Sequence, residues 1–236
     1  MEKMDSLDSN VDIFFGGSID IEDKFKVHQF KISEIKNTIK FSNYYRYINT
    51  ICIDKLTIKI SLNTLEDISA YDFIIANCHS NRDDNFKNII CEGLGLFLGE
   101  SVFYDKNVAK LYTDKNLIGQ LDFEDISAAI RKLNCMGEEE VVSVQNEAHL
   151  KYYIDRGIAR AKFAKNSEGD LSDIISSVCS KHPTINIFNV DDLTLYQLMD
   201  AYKRLNAIDQ YFVNIKSLIA GADKKDINLK HWSEKI

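Results

Sequence analysis

Several signals that would place a protein in a membrane or outside the cell are missing from this sequence. No run of about 18 apolar residues, the length needed for a membrane-spanning helix, is present. The first ten residues, MEKMDSLDSN, lack the charged, apolar and small-residue segments of a signal peptide. We therefore expect a cytosolic protein without a membrane segment.

Positive charge is also scarce. The chain has 236 residues, with 29 Lys and Arg against 36 Asp and Glu, and a formal net charge of −7. A negative total repels phosphate, which argues against nonspecific binding to DNA or to acidic lipid. Nucleic acid is therefore not an expected partner, although a local basic patch could still bind it.

Cysteine and histidine do not form metal-binding patterns. The five cysteines are widely spaced and contain no C-x-x-C pair, so we interpret them as reduced thiols. The five histidines never stand at the i, i+4 spacing that presents two imidazoles on one helix face to a metal. We predict no metal site and no cofactor.

The residues that are present predict an α+β fold that is predominantly helical, with a small antiparallel β-meander in the middle and a long C-terminal amphipathic helix. Hydrophobic residues at 45% and charged residues at 28% are typical of a globular protein. We predict a flexible N-terminal arm over residues 1–22, a core domain over 23–182 and a C-terminal helical module over 183–236. The sole proline, Pro183, supports the last boundary because proline cannot continue a preceding helix.

The spacing of apolar residues locates the elements, since steps of three and four predict helices and alternation predicts strands. The first predicted helix begins at Ser33, and a second follows a cap at Ser42 or Asn43. Further helices are predicted from Asn63 or Thr64 to His79, from Phe123, over Gln145–Lys165 and over Leu171–Cys179. Strands are predicted from Lys55 in KLTIKISLN and, as the meander, at Leu94–Leu98, Val102–Tyr104, Val108–Tyr112 and Leu117–Leu121, with Gly93, Gly95 and Gly99 among the turn residues.

The last quarter of the chain predicts one long amphipathic helix. Asp191 or Asp192 could cap its first turn, and Gly221 stands where a left-handed residue ends a helix. An apolar stripe of this length needs a groove, which either the chain itself or a partner supplies. The stripe consists of Leu195, Leu198, Tyr202, Leu205, Ile208, Phe212, Ile215 and Ile219.

The tail that follows this helix, residues 223–236, is the candidate partner-binding site. Its apolar residues alternate with lysines, and tryptophan is the residue most enriched in interface hot spots. The alternative is that Trp232 folds back on the chain's own helix. The candidate site comprises Ile227, Leu229, Lys230, His231, Trp232 and Lys235.

Two weaker patterns would support an enzyme or a nucleic-acid-binding factor. Cys78 and His79 are adjacent, like half of a catalytic dyad, but the sequence shows no third group that would orient the base. A basic stripe could form on the helix predicted over Gln145–Lys165, although the aromatic residues of a nucleic-acid platform are few there and a solvated helix face is the favoured interpretation. Its members would be Arg156, Arg160 and either Lys151 or Lys165.

Both ends of the chain resemble one family. LTLYQLMDAYKRL (Leu193–Leu205), SLIAGADKK (Ser217–Lys225) and LKHWSEKI (Leu229–Ile236) resemble the C-terminal signature of small proteins encoded in the tail modules of phages and prophages of Gram-positive bacteria. FKISEIKNTIKFSNYYRYINTI (Phe30–Ile51) is similar to the opening of the same group. These proteins are commonly taken for tail assembly chaperones.

The resemblance implies a non-enzymatic protein that binds the tape-measure and tail-tube proteins during assembly of the phage tail in the host cytoplasm. The alternative is a permanent component of the virion, such as a connector or a tail-completion protein. A homo-oligomer is compatible with either role. The resemblance assigns no functional residue of the family to a position in this chain.

Overall fold

A computed structural model describes residues 10–80, 84–137, 144, 146–156, 171–223, 225, 227 and 229–234. The fold is α+β and predominantly helical, as the sequence predicts. The helices are α1 (10–14), α2 (Ile32–Glu34, continued by a π-helical turn at Ile35–Ile39), α3 (Phe41–Ile51), α4 (Lys55–Leu62), α5 (Ala70–His79), α6 (Asp84–Leu98), α7 (Gln120–Leu133), α8 (147–156), α9 (Leu171–Lys181) and α10 (Leu195–Ile219). The strands are β1 (Ile19–Ile21), β2 (Phe25–Val27), β3 (Val102–Asp105), β4 (Lys110–Thr113) and β5 (Leu117–Ile118).

The N-terminal segment contributes to the core through Ile13, which is buried, whereas Phe14 and Phe15 are exposed. Strand β1 then pairs antiparallel with β2, with Ile19 opposite Val27. The predicted boundary after residue 22 therefore falls in the turn of this hairpin.

Residues 55–62 form helix α4, so the prediction of a strand in KLTIKISLN was wrong. The Asp54 carboxylate accepts a hydrogen bond of 2.6 Å from the backbone nitrogen of Thr57 and thereby caps the first turn. Asn63 ends the helix in the left-handed conformation, with φ 50°. Because these local caps fix both ends, a short alternation of apolar and polar residues does not produce a strand here.

Helix α5 starts later than predicted, at Ala70. Ser69 is its cap and accepts a hydrogen bond from the backbone nitrogen of Asp72. The predicted end at His79 is confirmed.

Helix α6 occupies the position of the strand predicted at Leu94–Leu98, so that prediction was wrong too. Its fully buried residues Ile90, Leu94 and Phe97 follow steps of four and three, which line one face of a helix. Gly93 and Gly95 therefore lie inside a helix rather than in turns, and only Gly99, with φ +67°, is a turn residue.

Gly93 permits the close approach of α6 to α3. A Cβ atom at this position would lie 2.9 Å from Cβ of Tyr47 and 3.0 Å from Cδ1 of Ile51. These separations are shorter than ordinary van der Waals contacts between carbon atoms, so any side chain here would force the two helices apart.

Strands β3, β4 and β5 form the predicted antiparallel meander. Val102 of β3 lies opposite Thr113 of β4, and Leu111 of β4 lies opposite Ile118 of β5. Strand β3 packs against helix α6. Helix α7 begins at Gln120, so the chain between 117 and 121 is only partly strand.

Two predicted helix caps were wrong. Lys40, with φ 71°, precedes α3, and both Ser42 and Asn43 lie inside that helix. Thr194 rather than an aspartate caps α10, because Asp191 and Asp192 lie in a 3-10 turn one step earlier. The predicted C-terminal glycine is confirmed, since Gly221 has φ 97° directly after the last turn of α10.

One buried cluster takes side chains from all three predicted segments of the chain. At its centre the hydroxyl of Tyr44 donates a hydrogen bond of 2.7 Å to Oδ1 of Asn134, and burial raises the pKa of Tyr44. Its fully buried members include Ile13, Val27, Ile35, Ile51, Ile74, Phe97, Leu111, Phe123, Ile130, Val178 and Leu198. No helix within the described ranges has both the length and the apolar character needed to cross a bilayer.

Candidate protein-binding site

The beginning of α10 is fixed to the N-terminal half of the chain. The Thr194 hydroxyl accepts a hydrogen bond of 3.2 Å from the backbone nitrogen of Gln197, and Oε1 of Gln197 accepts one of 2.9 Å in return. Nε2 of the same glutamine donates 2.8 Å to the carbonyl oxygen of Phe14. The backbone nitrogen of Ile32 donates 2.9 Å to the carbonyl oxygen of Leu193. The first turn of α10 is therefore held in one orientation by the fold.

The apolar stripe of α10 becomes more exposed along the helix. Leu198 is fully buried, whereas Phe212 is 53% exposed and Ile219 is 82% exposed. Lys181, the last residue of α9, forms an ion pair with Asp209, so the cover that α9 gives to α10 ends near this point. The 25 residues of α10 span about 37 Å, and about the last third extends past α9. The chain therefore supplies a groove for only the first part of the stripe.

The tail returns along one edge of α10, which we call the tail edge and define by Arg204 and Tyr211. The ring of His231 lies 5.1 Å from the ring of Tyr211 in an edge-to-face arrangement. Nη1 of Arg204 donates to the carbonyl oxygens of Trp232, at 3.5 Å, and of Glu234, at 3.4 Å. Residues seven apart lie on the same side of a helix, which explains how both contacts hold one segment.

These contacts are weak. Hydrogen bonds from nitrogen to oxygen are commonly about 2.7–3.2 Å long, and both bonds from Arg204 exceed that range. Their acceptors are backbone oxygens, so they hold the path of the tail rather than its side chains. The tail therefore lies on the helix through weak contacts only.

The predicted site residues lie together in the tail but differ in exposure. Leu229 is 39% exposed and Trp232 is 40% exposed, so each is neither free in solvent nor sealed in the interior. Ile227 is half-buried, while Lys230 and His231 are exposed; the remaining member, Lys235, lies outside the described residues. The backbone oxygen of Trp232 thus lies against its own helix, while its side chain is partly exposed and its ring lies 5.2 Å from that of His231.

A second surface of α10 points away from the tail edge. Successive helical residues turn by about 100°, so Phe212 and Ile219 lie about a quarter-turn from Tyr211 and Val213 lies nearly opposite. Val213 is 55% exposed, and Asp209 and Lys216 are exposed between these apolar residues. We call this surface the open face.

A third exposed apolar feature, in the loop before α10, was not predicted from the sequence. Ile187 and Phe188 are 70% and 90% exposed, yet hydrogen bonds fix the loop that carries them. The backbone nitrogen of Asn186 donates 2.8 Å to Oδ1 of Asn189, whose Nδ2 donates 2.8 Å to the carbonyl oxygen of Thr184. Asparagine side chains commonly close turns in this way, so the two flanking asparagines are the signal that could have identified the loop.

The Cys78 and His79 pair does not have the properties of a catalytic dyad. Burial raises the pKa of the Cys78 thiol to about 12, whereas a cysteine nucleophile needs a lowered pKa. Nδ1 of His79 lies 3.2 Å from the hydroxyl oxygen of Tyr104, so the ring at the end of helix α5 contacts strand β3.

The proposed basic stripe falls only partly within the described residues. Lys151 and Arg156 are exposed on α8, whereas Leu150 is buried; Arg160 and Lys165 lie outside the described residues. Across the described part of the chain, no group of three His, Cys, Asp or Glu side chains is placed to hold a metal ion.

Comparison with known proteins adds one finding. No curated protein and no solved structure matches the chain. Residues 164–236 match the family model of the YomV second domain. The matched segment is less than a third of the chain and contains α9, α10 and the tail. This family is phage-derived, and the match supports a phage origin for the protein.

Proposed function

We propose that the protein takes part in phage tail morphogenesis as a tail assembly chaperone, binding the tape-measure protein, the tail-tube protein or both, without catalysis of its own. The observation that carries this proposal is the tail, a short segment docked by weak contacts on an edge of α10 with Trp232 and Leu229 partly exposed. A segment held in this way can leave its own helix and bind another polypeptide.

The physical requirements of a chaperone agree with this arrangement. Such a protein covers apolar surface on a subunit until the subunit polymerises, and amphipathic segments with aromatic anchors suit that task. The net charge of −7 keeps the complex soluble. Lys225 and Lys230 lie beside the apolar tail residues, so the preferred partner surface is an apolar groove with an acidic rim.

Two further observations support the proposal. The tail and the helix that holds it lie within the segment that matches a phage-derived family. Burial raises the pKa of the Cys78 thiol, which disfavours the thiolate that a cysteine nucleophile needs. The resemblance of both ends of the chain to tail assembly chaperones supplies the identity of the partners.

Coexpression with the tape-measure and tail-tube proteins of the same phage, followed by pull-down, tests the proposal. We expect a complex with the wild-type chain and a loss of about tenfold or more in affinity for Trp232→Ala, the size of effect that an interface hot spot gives. The matched control is Phe103→Ala, which removes another half-exposed aromatic from strand β3 and should bind normally. Failure of the wild-type chain to bind either protein would overturn the proposal.

Mass spectrometry of purified phage particles separates the chaperone from a permanent tail component. A chaperone leaves before the tail is complete and should be absent from the particles. Stoichiometric amounts of the protein in the particles would replace the chaperone role with that of a virion subunit, such as a connector or a tail-completion protein.

A further inference from the structure

The open face of α10 has the spacing of a helix-pairing surface. Its residues follow steps of four, three, four and three, which keep them on one side of a helix and are the steps of a coiled-coil seam. Leu205 is half-buried where the seam leaves the body of the protein, and the exposure of the apolar positions then rises to 53% and 82%. The seam consists of Leu205, Asp209, Phe212, Lys216 and Ile219.

The order of residues along this seam is self-complementary. Leu205 and Ile219 stand at equal distances on either side of Phe212, and Asp209 and Lys216 flank it at nearly equal distances with opposite charges. When two such helices run antiparallel about a two-fold axis beside Phe212, Asp209 of each copy lies opposite Lys216 of the other. A parallel pair in register would instead place like charges opposite each other, which is unfavourable.

We propose that a second copy of this chain covers the open face, through antiparallel packing of the two α10 helices. The two Phe212 rings meet at the axis, Leu205 packs on Ile219 of the other copy, and Val213 extends the contact on one side. Each residue that meets a partner on one copy meets the same partner on the other, as a closed two-fold interface requires.

Charge favours a second copy over an unrelated helix on this face. The open face carries one carboxylate, on Asp209, and one ammonium group, on Lys216, between its apolar residues. A partner with a uniformly acidic or basic flank would therefore repel one of these two groups. The net charge of −7 on each chain causes only a weak repulsion between two copies, because repulsion between distant charges is screened at physiological salt. The Asp209 carboxylate can accept from Lys181 of its own chain and from Lys216 of the second copy, since it has two oxygens.

The interface is small. Paired seams that run from Leu205 to Ile219 overlap for about 21 Å, which places the contact at the low end of interface sizes and predicts a dimer that dissociates on dilution. The tail edge lies on a different side of α10, so this dimer can form without the proposed binding of tail proteins and leaves both tails accessible.

Sedimentation velocity of the full chain over a series of concentrations tests the proposal. The wild-type protein should shift from monomer to dimer as its concentration rises. Phe212→Glu, which places a carboxylate at the axis, should weaken the dimer by about tenfold or more, while Phe103→Glu, at an exposed aromatic of strand β3, should not. A wild-type chain that is monomeric at every concentration, or a dimer that Phe212→Glu leaves intact, would overturn the proposal.

A charge reversal tests the antiparallel register. Lys216→Asp places two carboxylates opposite each other and should weaken the dimer, whereas the triple variant Lys181→Asp, Asp209→Lys and Lys216→Asp, which also keeps an ion pair with α9, should restore it. In a parallel pair the single substitution would exchange one like-charge contact for another and change little. Persistence of the dimer in the single variant, or no recovery in the triple variant, would refute the antiparallel arrangement.

Discussion

Replacement of Trp232 by alanine distinguishes a tail that is available to partners from one that belongs to the protein's own core. A fully buried tryptophan removes about 150–250 Å² from water, and Trp232 is 40% exposed. About 90–150 Å² is therefore covered, which corresponds to at most about 2–4 kcal/mol of favourable burial at 25 cal/mol per Å². Against this, each tail residue that is ordered costs about 1–2 kcal/mol of backbone entropy.

The two contributions are opposed, so the net free energy of docking is small. When the tail leaves α10, the remainder of the protein stays folded, and the tail can contribute no more than this net value to the free energy of global unfolding. We expect Trp232→Ala to lower that free energy by less than about 1 kcal/mol, and the Tm by at most about 2–4 °C. Leu198→Ala is the matched control on the same helix, since Leu198 is fully buried and its truncation should cost about 2–5 kcal/mol.

Urea denaturation followed by far-UV circular dichroism measures both effects. Trp232 is the only tryptophan, so its fluorescence in the wild-type protein reports the tail alone and should change at a lower urea concentration than the helical signal. Coincident transitions, or a loss in Trp232→Ala as large as that in Leu198→Ala, would refute the reasoning and assign the tryptophan to the core.

Two further predictions concern the fold. Gly93→Ala should lower the free energy of unfolding by about 1–2 kcal/mol in thermal denaturation, because the contact of its Cβ with Tyr47 at 2.9 Å outweighs the gain in helix propensity. Asn88→Ala, at an exposed position of the same helix, should leave that free energy unchanged or raise it slightly. The same result for Gly93→Ala would show that α3 and α6 lie farther apart. The Lys115 ammonium, which donates 2.9 Å to Glu100, lowers the pKa of that carboxyl below its ordinary value, so its stabilisation is present above the ordinary pKa of a glutamate and is lost as the pH falls through the lowered pKa. Lys115→Met should raise the pKa of Glu100 in an NMR titration, and an unchanged titration would contradict the assigned cause.

The helices with a long, regular apolar stripe could be predicted from the sequence, and those that depend on tertiary contacts could not. In α7 and α10 the period of 3.6 extends over several turns, so the pattern identifies the element. In α6 the glycines at 93 and 95 suggest turns, but Gly93 faces Tyr47 of another helix and Gly95 faces the backbone oxygen of Glu100, at separations too short for ordinary side-chain contact. No local pattern contains that information.

The same distinction applies to the candidate site. The tail could be selected from its composition, because Trp232 between lysines is unusual in an acidic chain. Its position could not, since it depends on Arg204 and Tyr211, which lie more than twenty residues away in sequence and show their role only when the tail returns. Exposure of the open face likewise depends on where α9 ends, at Lys181, and not on the stripe itself.

The division of α10 into two surfaces connects the two proposals. If two copies pair through the open face, each dimer carries two tails, one on either side of the two-fold axis. A tail that binds weakly on its own then gains from the second, because linked sites raise the overall affinity by about 10²–10⁴ without any new contact when both can be engaged. A phage tail tube repeats one subunit many times and offers such paired sites, whereas a single isolated subunit does not. Phe212→Glu should therefore weaken binding to assembled tube more than binding to the free subunit, although Phe212 itself does not lie on the tail edge.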